Sequence, residues 1–168
     1  MAAPGSSPRV RVAAVVLHDG GVVLVRHEKD GRSYHLLPGG GVDAGETIAA
    51  ALEREVREET GLLCEVGAPL FINDSIAPDG SRHVIQLTFR ARAVGGELTL
   101  QPEDERVAAV EIVSLGDLPG LDLRPPMSQA LLESASTGFD SPARYLGPLW
   151  SASISGITGA GGTPATDG

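Results

Sequence analysis

The sequence has one cysteine, Cys64, so no disulfide can form within the chain and a metal site built from several thiolates is excluded. Flanked by Leu63 and Glu65 in a strand-like stretch, the thiol reads as a small buried apolar group. Basic charge is short as well: 13 Lys and Arg stand against 22 Asp and Glu, a formal net charge of -9. That balance argues against a broad electrostatic grip on nucleic acid, and a polyanionic substrate would need local cations to offset the repulsion. A bound metal ion would supply them. No run approaches the roughly 18 apolar residues of a membrane span. The opening MAAPGSSPRV has neither the charged n-region nor the apolar h-segment of a secretory signal. The expectation is a protein in the cytoplasm, with no membrane and no nucleic acid as partner. There is no internal repeat.

What is present suits one folded domain in 168 residues, with 42% apolar and 21% charged residues. Residues 1–8 read as a flexible N-terminal arm, 9–136 as the domain, and 137–168 as a Gly/Ser/Pro-rich tail anchored in part by Tyr145 and Trp150. From Arg9 to Leu17 the β-branched, continuously apolar run predicts a central strand. Asp19, Gly20 and Gly21 turn it into a second strand over Val22 to Val25. Arg26 to Arg32 then reads as a charged loop, with Arg26 and His27 placed to approach a bound phosphate. Past the first half, Leu62 to Ile72 predicts a strand and Asn73 to Arg82 a polar loop. Ile85 to Ala93 alternates apolar with polar residues, leaving Arg90 and Arg92 off the apolar face. Leu98 and Leu100 suggest a brief strand, 107–115 a last one, 116–123 a connection, and Pro125 and Pro126 the start of a short terminal helix in which Met127 fills core.

The informative stretch is Gly39 to Leu62. The turn Pro38-Gly39-Gly40-Gly41 allows close backbone approach and can aim main-chain groups, those of Gly39 first, at an anion or at a metal bound to one. Behind it, about Glu46 to Thr60 predicts a helix closed by Gly61. Ile48, Leu52 and Val56 form its apolar stripe at i, i+4, i+8, and Glu55 and Glu59 fall on the edge of that stripe with Glu58 beside them. Two readings compete. One is a solvated acidic face in which Arg54 pairs Glu58, leaving Glu55 and Glu59 without a cation. The other is a hard divalent ion held by carboxylate oxygens.

Gly40, five residues, Glu46, seven residues, Arg54-Glu55-Val56, one residue, Glu58-Glu59, one residue, Gly61-Leu62: this pattern resembles the Nudix box in every defined position. The resemblance implies an α/β fold, the Nudix-type α/β/α sandwich with a mixed β-sheet and a loop-helix-loop catalytic motif. It implies Mg²⁺ or Mn²⁺ as cofactor, held by Glu55, Glu58 and Glu59 and by a backbone oxygen of Gly40 or its neighbour. Arg54 would orient the carboxylates and Glu46 support the loop. A late loop often adds a base or ligand in such enzymes, here Glu105 or Glu103, so Glu58 and Glu105 are the candidate catalytic carboxylates. Arg26 and Gly39 are the candidate substrate contacts.

The implied reaction is hydrolysis of a diphosphate bond in a nucleoside diphosphate linked to another group. Pro78, sixteen residues past Leu62, matches a proline of the ADP-ribose-cleaving branch, so ADP-ribose or another nucleotide sugar leads. A (d)NTP or dinucleoside polyphosphate is the alternative, and a nucleotide-sensing domain without catalysis a further one. A small nucleotide is the expected partner, with a homodimer as one arrangement.

Overall fold

The computed structural model describes residues 7–99 and 102–150. Its strands are β1 (Arg9–His18), β2 (Gly21–Lys29), β3 (Arg32–Leu36), β4 (Gly39–Gly41), β5 (Leu62–Ile76), β6 (His83–Gly96), β7 (Val107–Val113) and β8 (Arg144–Pro148). The helices are α1 (Ile48–Thr60) and α2 (Ser128–Ala135), with a short 3-10 helix at Leu115–Gly120. The strands lie in the order β3-β2-β1-β6-β5-β8, with β4 also paired to β1 and β7 to β2. Parallel pairs (β1 with β6, β5 with β8) mix with antiparallel ones, so the sheet is mixed.

β1 shows why this becomes a three-layer arrangement. Val12, Ala14 and Val16 pack with Ala51, Leu52 and Val56 of α1. The alternate residues Ala13 and Val15 pack with Leu118, Met127, Leu131 and Phe139 on the opposite face. All five β1 side chains are fully buried, the condition for a continuously apolar strand covered on both sides. Among the described residues no helix is long and apolar enough to cross a membrane.

The charged stretch 26–32 is not a loop. β2 continues through Lys29, Asp30 and Gly31 form a tight turn with positive φ at both positions, and β3 returns, pairing Arg26 with His35 and His27 with Tyr34. Polar residues on both faces erase the period-two signal there. Likewise β5 runs on to Ile76, beyond the expected end at Ile72. Ile48 belongs to the first turn of α1 and is 38% exposed, so the buried stripe is Ala51, Leu52, Glu55, Val56, Glu59 and Thr60. The helix starts at Ile48 rather than Glu46 because Thr47 caps it, its Oγ1 accepting from Ala50 N–H. Leu98 is outside any strand, and Leu100 lies outside the described residues.

The boundary expected at residue 136 also moves. Phe139 is buried in the core, and β8 adds a parallel edge strand to β5. Tyr145 donates its hydroxyl to Asp74 (2.6 Å), while Leu149 N–H bonds the Asp74 carbonyl (2.7 Å) and Ser75 Oγ bonds the Leu149 carbonyl (2.7 Å). These contacts attach residues up to 149 to the sheet.

Candidate active site

β4 lies antiparallel against β1, with Gly39 opposite Ala13 and Gly40 opposite Val12. Gly39 has φ +153, and a Cβ there would lie 2.0 Å from the Val12 carbonyl oxygen. A Cβ on Gly40 would lie 2.3 Å from the Glu55 carboxylate. Thus the bare backbone of the glycine turn allows the carboxylates of α1 to pack directly on it. Gly39 N–H donates to Glu59 Oε2 at 2.8 Å. Glu55 and Glu59 are 8% and 2% exposed. Burial pushes the Glu59 carboxyl up to about 7, while the Arg11 cation and the Gly39 N–H pull the other way.

Arg54 ties the rest of the cluster together. It donates to both oxygens of Glu46 (2.8 and 2.9 Å), to Glu55 Oε1 (2.8 Å) and to the Gly41 carbonyl (3.2 Å), and stands 3.5 Å from Glu58. The cation missing from Glu55 on the helical wheel is therefore Arg54, its sequence neighbour, whose guanidinium reaches back toward the glycine turn. Glu46 lies in the loop before α1, its Oε2 also accepting from Asp43 N–H (3.1 Å). The Arg54 bond, aided by that N–H, holds the Glu46 carboxyl down at about 2. Glu58 is partly exposed at the rim.

The late loop docks on this helix through Glu103 N–H to the Glu58 carbonyl (3.0 Å). Glu103 and Glu105 are exposed, and Asp104 is the acidic side chain turned partly inward. Arg106 clamps Asp104 through both carboxylate oxygens (2.9 and 2.6 Å), and the two act electrostatically on Glu59. Arg26, in β2, bonds Glu111 (2.8 Å) and Glu28, so two carboxylates already take its charge. His27 and Tyr34 pack with ring centroids 5.4 Å apart, and the Arg124 guanidinium lies 4.1 Å over the Tyr34 ring. Arg11, Asp104 and Arg106 went unnoticed in the sequence. Arg11 stands between Val10 and Val12 near the start of β1, two residues from a second arginine, Arg9, and Asp104 and Arg106 had nothing to separate them from their loop neighbours.

A divalent ion fits the chemistry of the donor set: carboxylate oxygens of Glu55, Glu58 and Glu59 beside a backbone with no intervening Cβ. Among the described residues no three His, Cys, Asp or Glu side chains converge on one point, and Arg54 supplies the neutralising charge in this arrangement. Ligation thus requires the carboxylates to turn away from Arg54 and toward one another.

Comparison with known proteins follows the same line. The chain is 35% identical over 115 residues to a Methanocaldococcus jannaschii protein named ADP-ribose pyrophosphatase, covering 68% of this chain and 66% of that one. It is 35% identical over 118 residues to a mouse protein named 8-oxo-dGDP phosphatase, covering 69% of this chain and 34% of that one. The chain therefore spans less than two thirds of the length of either relative. A solved Nudix hydrolase from Nitrosomonas europaea superposes with a TM-score of 0.68 at 21% identity, covering 90% of this chain and 98% of that one, a likeness of fold. The NUDIX domain family itself matches residues 7–133, well over half of the sequence. With that match, the complete box and the shared fold, this chain belongs to the Nudix family.

Proposed function

We propose that the protein is a metal-dependent hydrolase of a diphosphate bond in a nucleoside diphosphate joined to another group. The observation that carries this reading is the burial of Glu59 against the glycine turn beside Glu55, whose partner Arg54 is shared with Glu46 and Glu58, so that one guanidinium serves three carboxylates and a divalent ion would balance the rest. Glu55, Glu58 and Glu59, with a backbone oxygen of Gly40 or Gly39, would hold Mg²⁺ or Mn²⁺. The chemistry such an ion supplies is neutralisation of the diphosphate oxygens and activation of water.

The chain's own residues do the rest. Arg54 and Glu46 keep the carboxylates in register, and the Gly39 backbone and Arg26 contact the substrate phosphates, Arg26 by exchanging Glu28 for phosphate. Glu58 or Glu105 takes the proton of the attacking water as the P–O bond to the leaving phosphate breaks. The products are a nucleoside monophosphate and the phosphorylated other group.

ADP-ribose or another nucleotide sugar leads as substrate, supported by Pro78 in the 77–82 turn and by the archaeal relative's name. The mouse relative's name favours an oxidised purine nucleotide as the second reading. A release assay over nucleotide sugars, dinucleoside polyphosphates and (d)NTPs, with product identification, separates the two. Tight binding of one ligand with no turnover across the panel would instead favour a sensing domain.

A further inference from the structure

Arg11 heads the apolar run of β1, 28 residues ahead of the glycine it contacts. Its guanidinium is partly buried, and both of its hydrogen-bonded nitrogens serve neutral acceptors: Nη1 donates to Gln86 Oε1 (2.9 Å) and Nη2 to the Gly39 carbonyl (3.0 Å). Gln86 is 3% exposed and anchored in turn, its Nε2 donating to the buried Thr88 Oγ1 at 3.3 Å. Glu59 and Glu55 lie near enough to favour the Arg11 cation against its burial. Gly39 is thereby gripped from both sides, its N–H by Glu59 and its carbonyl by Arg11. Ala14 N–H on the Pro38 carbonyl (2.8 Å) and the pairing of β4 with β1 hold these peptides on one side, and Glu59 and Arg11 hold them on the other.

We propose that Arg11, braced by Gln86, is a positioning residue that fixes the Gly39 backbone and so keeps the Gly39 N–H on the Glu59 carboxylate. The role matters for metal binding only if Glu59 is a ligand, as proposed above, but the hold on Gly39 can be measured without any metal. A side chain outside the box would then set the geometry of a box carboxylate, and partners of this kind typically change metal affinity by about 10–100-fold.

The test measures amide hydrogen exchange by NMR in EDTA, and Mn²⁺ binding by EPR, on the full chain and its Arg11→Met, Arg11→Lys and Gln86→Met variants. Arg11→Met is expected to lower protection of the Gly39 amide by about tenfold or more while Leu52 and Val56 in α1 keep theirs. Mn²⁺ affinity should fall by about 10–100-fold, with Arg11→Lys recovering part of both because one ammonium reaches one acceptor at a time. If Arg11→Met does not fold, Gln86→Met and Arg11→Lys carry the same expectation in milder form. Unchanged Gly39 protection would overturn the proposal, as would an equal loss at Leu52 and Val56, the mark of general loosening. Should the unsubstituted chain bind no Mn²⁺ while Gly39 loosens in the variants, the metal reading fails and the Arg11 hold stands.

Discussion

Gly39 and Gly40 are neighbours whose replacement by alanine should have opposite consequences. A Cβ on Gly40 meets only the tip of the flexible Glu55 side chain, so Gly40→Ala should fold with nearly unchanged urea stability yet lose metal-dependent turnover as the carboxylate is displaced. A Cβ on Gly39 meets the Val12 backbone in a φ region alanine avoids, and Gly39→Ala should lose about 2 kcal/mol or more of stability. Paired unfolding and activity measurements on the two variants check both. Glu59, 2% exposed and accepting the Gly39 N–H, presents the complementary case. Glu59→Gln should be more stable than the parent in EDTA at pH 8, by about 1–3 kcal/mol, because a neutral isostere is cheaper to bury. The same variant should lose most turnover, and equal or lower stability would show that the buried carboxylate is better satisfied than its contacts indicate. Glu55, Glu58 and Glu59 were legible in the sequence because their spacing puts them side by side on one helix. Arg11 and Asp104 were not, since their places depend on β1 pairing with β4 and on a loop docking across from Glu103 to Glu58.

Among the elements, β8 depends on a small polar cluster at the sheet edge. Asp74 accepts from the Tyr145 hydroxyl (2.6 Å) and bonds His83 Nε2 (2.8 Å), and these partners, His83 first, hold its carboxyl below the usual range. A carboxyl depressed in the folded state stabilises above its unfolded pKa and loses that contribution as pH falls through the folded value. The attachment of β8 should therefore persist at neutral pH and weaken only below about pH 4. Trp150, the single tryptophan, lies two residues past the end of β8 and should report the change by fluorescence. Asp74→Ala should produce the same fluorescence change already at pH 7, with exchange rising over residues 144–148 and not in α1; an unaltered signal would mean that the backbone pairing to β5 suffices. β8 escaped the sequence reading because Arg-Tyr-Leu-Gly-Pro contains two turn formers and no alternation, and an edge strand needs neither. The long strands β1 and β6 were readable because burial on defined faces imposes a pattern on their side chains.

For the whole molecule, the folded unit extends past the boundary that composition suggested. Phe139 is 3% exposed in the layer opposite α1, and β8 completes one sheet edge. A chain ending at residue 136 should be less stable in urea unfolding than one ending at 150 by at least about 3 kcal/mol, the scale of deleting a buried phenylalanine. Equal stability of the two truncations would return the boundary to 136. The net charge of -9 is consistent with this architecture and with the proposed reaction, because Arg11, Arg54 and Arg106 gather around the box carboxylates. Such local cations offset what the surface as a whole would repel, and a divalent ion would complete the balance. The most direct measurement is the rate of nucleoside monophosphate release from the substrate found in the panel, followed as Mg²⁺ is removed by EDTA and then returned. Turnover should fall to background in EDTA, recover with Mg²⁺, and stay near background at every Mg²⁺ concentration in Glu58→Gln. Undiminished release in EDTA, or full activity in that variant, would contradict a metal-dependent site built on these glutamates.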